Sequence, residues 1–197
     1  VRDSTHHIPH VYGDTRNDAM FGVGYVRAAD RLWQMESFRA VWRAESAVML
    51  GRGDNDTNVK ADAHTFRLID YSETEYQTMY NRLSTDYGHW GIQAADDIKA
   101  YIDGMNAYID LIKREPSKLP IEYTSHGLEP QSWKVTDAIA MAAYSHVAWG
   151  SAGPGEEMNA QLYRQLQDRF GDDAQAIYND LRNAPDSATQ YSLPEVS

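Results

Sequence analysis

Residues 22 to 36 read Gly22-Val23-Gly24-Tyr25-Val26-Arg27-Ala28-Ala29-Asp30-Arg31-Leu32-Trp33-Gln34-Met35-Glu36. Phe21, Tyr25, Ala28, Leu32, Met35 and Ala40 fall near helical spacing, with Arg27, Asp30, Arg31, Gln34 and Glu36 on other faces. The run is the start of a long amphipathic helix. Nothing in it can act as a nucleophile or hold a metal, so on its own it is structural.

Outward from this run the same period recurs. Asp14 or Thr15 can cap the helix, which carries apolar residues through Phe38, Trp42, Val48 and Leu50 to a stop at Gly51. Gly51 to Asn58 is polar and turn-forming. Helices are expected over Ala61 to about Leu83 and Ile92 to about Lys113. Pro116 and Pro120 interrupt, and Ile121-Glu122-Tyr123 is a short strand candidate. Thr136 or Asp137 starts another helix, broken at Gly150 to Gly155, and two more follow over Glu156 to Phe170 and Asp173 to Leu181. We expect one helix-rich domain over residues 1–183 and an aperiodic tail over 184–197.

Composition narrows the function. The chain has 197 residues, enough for one domain with a substantial core. Its formal net charge of −11 argues against nucleic acid and anionic membrane as partners. With no cysteine, thiolate catalysis and cysteine-bound zinc are excluded within the chain. No apolar stretch approaches the roughly 18 residues of a membrane span. The chain opens on Val1 rather than Met, so we expect that residues before it have been removed, by a signal peptidase or otherwise. Tyrosine and tryptophan (13 and 5) outnumber phenylalanine (4), which suits rings that pack while keeping a polar tip satisfied, at interfaces as well as in cores.

Motifs that carry chemistry fail one by one. His6, His7 and His10 cluster around Pro9, without a carboxylate completing a zinc signature, and read as ordinary histidines. Asp54, Asp56 and Asn58 alternate like the first ligands of a calcium loop, but Val59 stands where glycine is needed and Thr65 where a glutamate is needed. Arg52-Gly53-Asp54 is a tripeptide common by chance. Gly22-x-Gly24 lacks the third glycine of a dinucleotide site. No serine sits in Gly-x-Ser-x-Gly. No catalytic residue is assigned in this chain.

Several segments, taken together, resemble the penicillin acylase family. The run from Gly24 to Glu36 is close to its Gly-Tyr-x-x-Ala-x-Asp-Arg-Leu-x-Gln-Met-Glu helix. Ile8-Pro9-His10-Val11-Tyr12 is similar to its Val-Pro-His-Ile-Tyr segment, and Tyr101 to Ile109 to its Ala-Tyr-x-x-Gly-Asn-Ala-Tyr helix. Leu119-Pro120-Ile121-Glu122-Tyr123 and Gly127 to Trp133 resemble Leu-Pro-x-Glu-Phe followed by Gly-x-x-Pro-x-x-Trp, with Asp137 four residues on. The blocks occur in the family's order from residue 8 to about 160.

The resemblance implies an N-terminal-nucleophile amidohydrolase, made as a precursor that cuts itself into a smaller α chain and a larger β chain. The β chain begins with the nucleophilic serine, and this chain would be the α subunit. It implies a mostly α chain of an αββα, α+β heterodimer, with long helices and a few short strands packed on the β chain, and a periplasmic or secreted location. Substrates would be N-acylated small molecules, β-lactams or N-acyl-homoserine lactones. By the same resemblance Glu156 aligns with the α-chain glutamate that reaches a calcium ion held mainly by the β chain, with Glu157 as the alternative register. A plain helix-start glutamate is the competing reading. His146, Trp149 and Gly150 fall where the family's penicillin G acylases place acyl-pocket methionine, arginine and phenylalanine, and all three depart from that pattern. Glycine in place of an aromatic leaves room for a longer acyl group, while simple helix packing is the competing role for His146 and Trp149. A non-catalytic helical binding or scaffolding module is the alternative for the whole chain.

Overall fold

The computed structural model describes residues 1–150 and 154–183. They hold α1 (Arg16–Trp42), α2 (Ser46–Leu50), α3 (Thr57–Leu68), α4 (Glu73–Asp86), α5 (Gly88–Arg114), α6 (Ile121–His126), α7 (Val135–Gly150), α8 (Pro154–Phe170) and α9 (Ala174–Asn183). The chain divides into two compact units, residues 1–148 and 149–197, and each is treated by itself. The expected tail over 184–197 lies outside the described residues.

α1 starts where the sequence placed it. Thr15 and Asp18 form a capping box, each side chain accepting the other's backbone N–H at 3.1 and 2.9 Å. Its end differs from expectation. The helix stops at Trp42, Ala44 turns through φ +55°, and α2 restarts at Ser46. Alanine gives no sequence warning of a left-handed turn. The restart is held from outside: Asp62 on α3 accepts from the backbone N–H of Ser46 (2.9 Å) and Ala47 (2.7 Å).

The single helix expected over Ala61 to Leu83 is two helices, α3 and α4. Ser72 and Glu75 close a capping box that opens α4, a signature present in the sequence but hidden under a continuous apolar pattern. The strand expected at Ile121–Tyr123 is also wrong. Pro120 is the N-cap of α6, Gly127 ends it at φ +64°, and Tyr123 is buried with its ring edge-on to Trp33 at 5.0 Å. Among the described residues there is no strand, only an isolated antiparallel bridge between Arg2 and Pro9. The few short strands expected are absent from these residues.

The core of residues 1–148 is the crossing of α1 and α5. Ala28, Leu32, Met35, Ile102, Met105 and Ile109 are buried there, and Tyr25 meets Tyr108 edge-on at 5.4 Å. Full burial of a side chain such as Ile109 is worth about 1.5–3 kcal/mol. Two glycines set the distance. A Cβ on Gly24 would collide with the carbonyl oxygen of Tyr101, and one on Gly104 with that of Phe21. Of the Gly22-x-Gly24 motif, Gly24 thus serves the helix crossing, while Gly22 lies against Val11. Arg16 clamps the other face, donating from Nε and Nη2 to Asp97, each at 2.7 Å. A second cluster packs Ile69 and Tyr76 with Ile139 and Ala140 of α7.

Candidate functional site

α7 carries three of the four residues singled out in the sequence. Its first turn is fixed by a partly buried ionic network. Arg43 donates from Nε to Asp137 (2.9 Å), from Nη2 to Thr136 Oγ1 (3.0 Å) and from Nη1 to Glu73 (2.6 Å). The Thr136 hydroxyl in turn donates a hydrogen bond to Glu73 at 2.7 Å, and Lys134 N donates to Asp137 at 2.8 Å. Arg39, one turn earlier on α1, pairs with Glu36, donates to Ser132 O at 3.2 Å and stacks over Trp133 at 4.8 Å.

Burial works against the Arg43 charge, yet its hydrogen bond to Glu73 and the Asp137 charge more than restore it. Burial likewise pushes the Glu73 carboxyl up, but hydrogen bonds from Arg43 and Thr136 outweigh it and hold Glu73 below its ordinary value. Alongside the network, Asn106 on α5 spans the backbone of Trp133, donating to its carbonyl at 2.9 Å and accepting from its N–H at 2.8 Å. Arg39, Arg43 and Asn106 escaped the sequence reading. The one available signal was two arginines at i, i+4 beside Asp137, and nothing local ties residues about 94 positions apart.

The far end of α7 is open. His146 donates from Nδ1 to the carbonyl of Ala142 at 3.0 Å, which leaves Nε2 of the neutral ring as an acceptor. Trp149, one turn on, is 82% exposed, and among the described residues nothing beyond the local helix lies within 4 Å of where a Cβ of Gly150 would sit. In residues 149–183, Glu156 and Glu157 sit in the first turn of α8, where the helix dipole favours a carboxylate. Glu157 accepts from Gln161 at 3.4 Å. Glu156 borders a groove of about 420 Å³ with Asn159, Tyr163 and Gln175, and Tyr163 donates to Gln175 at 2.8 Å.

No group of three histidine, aspartate or glutamate side chains able to hold a metal exists among the described residues. Calcium needs six to eight oxygens, so Glu156 fits it only as one donor to an ion held mostly by other groups. No described helix is long and apolar enough to cross a membrane.

The penicillin amidase family model matches residues 1–187. The chain is 29% identical over 184 residues to penicillin G acylase of Escherichia coli, covering 92% of this chain and 20% of that protein. It is 31% identical to the penicillin acylase 2 proenzyme of Pseudomonas sp. strain SE83 (73% of this chain, 16% of the proenzyme). With acyl-homoserine lactone acylase QuiP of Pseudomonas aeruginosa it shares 29% over 143 residues (73% and 15%). A solved chain of the thermostable penicillin G acylase from Alcaligenes faecalis superposes with a TM-score of 0.66 at 27% identity, over all of this chain and 96% of that one. This chain belongs to the penicillin amidase family. It spans a fifth or less of the length of these curated relatives.

Proposed function

We propose that this chain is the α subunit of an amidohydrolase that cleaves the amide bond of N-acylated small molecules, β-lactams or N-acyl-homoserine lactones. The observation that carries the reading is the superposition on nearly the whole of one penicillin G acylase chain, while the curated relatives are about five times longer. A larger chain, released from the same precursor by self-cleavage, supplies the N-terminal serine. Its own α-amino group, with a pKa of about 8, takes the hydroxyl proton as Oγ attacks the amide carbonyl. The C–N bond breaks, the amine leaves with a proton, and water hydrolyses the acyl ester. The complex is periplasmic or secreted.

In this reading the α7 end shapes the acyl pocket through His146, Trp149 and Gly150. A Trp149 ring 82% exposed in this chain supports it, because so much bare aromatic surface calls for a cover. Glycine at 150, in place of the aromatic of the penicillin G acylases it resembles, favours a longer acyl group than phenylacetyl. Glu156 lends one carboxylate to a calcium ion shared with the larger chain, with Glu157 the alternative. The ion would tie the two chains together.

Denaturing mass spectrometry of the native protein tests the subunit reading. A second, larger chain beginning with serine is the expected result, and a lone stable 22.3 kDa monomer refutes it. Free acid release from phenylacetyl, glutaryl and long-chain acyl-lactone compounds then reads the acyl group; refusal of the long chains ends the enlarged-pocket proposal. Glu156→Ala is expected to lower bound calcium or precursor maturation, and unchanged calcium content removes Glu156 from the metal.

A further inference from the structure

A cavity of about 300 Å³ opens between α1, α2 and the turn after α6. Its inner end is polar and incompletely partnered. Tyr123 is only 1% exposed, and its hydroxyl is buried without a hydrogen-bond partner. One oxygen of Glu36 pairs with Arg39; the other, Oε2, is buried and has none. The Trp133 indole N–H, not itself in the lining, is buried without a hydrogen bond and lies close enough to Glu36 to favour its ionised form.

Charge on the lining is one-sided. Glu36, Glu45 and Glu129 face the cavity against the single cation Arg39. Arg39 is already committed to Glu36, to Ser132 O and to Asp137 at 3.6 Å. Glu45 and Glu129 are exposed and form no ion pair with a described residue. Burial raises the Glu36 pKa even with Arg39 beside it, so one guanidinium does not offset the loss of water. Ala40, Val48, Met49 and Leu128 add apolar side chains to the lining. A second cation on an alkyl stem fits this distribution: a head for the free carboxylate oxygen and the phenol, and methylenes for the apolar side chains. A bare metal ion does not, for want of three clustered ligands.

We propose that the cavity seats a basic side chain, lysine or arginine, from the part of the protein outside this chain, with its cation on Glu36 Oε2 and the Tyr123 hydroxyl. That part is large, because this chain spans 20% of the E. coli relative. The inference rests on the two-chain reading given above. It adds the place and the chemistry of one contact between the chains.

A crystal structure of the two-chain protein is the direct test. A lysine or arginine nitrogen of the other chain within about 3.2 Å of Glu36 Oε2 is expected. Water alone, an apolar side chain, or a segment of this same chain in the cavity overturns the inference. In parallel, Glu36→Gln keeps the shape and removes the charge, and should weaken association of the chains about tenfold. Combined with replacement of the seated residue by methionine, it should do little more harm than the worse single change. Fully additive losses would mean that Glu36 serves only its own chain, and would also overturn the inference. A preparation with no second chain defeats the subunit reading and this inference together. A second chain present over a water-filled cavity defeats this inference alone.

Discussion

The α1–α5 crossing and the α8–α9 pair are both two-helix arrangements, and they are built on opposite principles. At the crossing the helices approach until backbone meets backbone, and Met105 and Ile109 lose all contact with water. Among the described residues of 149–183, Leu166 and Ala174 are the buried side chains, while Met158, Leu162, Phe170 and Leu181 stay exposed. The first arrangement is complete within the chain. The second displays apolar surface of the kind that further protein covers.

The contrast can be broken most forcefully at Asp137. Asp137→Ala strands Arg39 and Arg43 without their buried partner and should cost about 4 kcal/mol, read as a lower urea midpoint of the assembled protein. Gly104→Ala should cost roughly 3 kcal/mol, since a backbone carbonyl cannot move aside as a side chain does. The same change at Gly155, where the built Cβ meets nothing within 4 Å, should stay within about 0.5 kcal/mol. Equal losses at both glycines would erase the distinction between the regions.

Leu166→Ala should cost about 2 kcal/mol, and its effect should be local. Hydrogen exchange is expected to quicken across α8 and α9 and to hold constant in α1 and α5; a global change would show that the regions unfold as one. A small effect that appears only in acid belongs to Glu73, whose carboxyl is held below the ordinary 4.5. A lowered folded pKa adds stability above the unfolded value and loses it as pH falls through the folded one. Glu73→Gln should therefore flatten the acid limb of stability below about pH 4.5. Nearly half exposed, the side chain is screened by water, so the change should be under about 1 kcal/mol.

Helices with strong periodicity were legible in the sequence, as was a cap at Asp14 or Thr15, which is Thr15. The boundaries that went astray turned on long-range contacts. The break after Trp42 rests on Asp62 and on an alanine in a left-handed turn. The helix at Ile121–His126 rests on burial of Tyr123 against Trp33. The family was legible because its motifs are the residues that hold helices together. The site was less so: His146, Trp149 and Gly150 share the end of one helix, and a stretch of helix reads the same whether it packs or lines a pocket.

The glycine crossing also sets what evolution can repair. When a large side chain crowds a core, a neighbour can shrink to make room. Here each obstacle is a carbonyl oxygen, at Tyr101 and at Phe21, which every amino acid carries. No substitution elsewhere can relieve a side chain at Gly24 or Gly104 without prising the helices apart. A selection for suppressors of Gly24→Ala should thus return true revertants, and the two positions work as a lock with no second key.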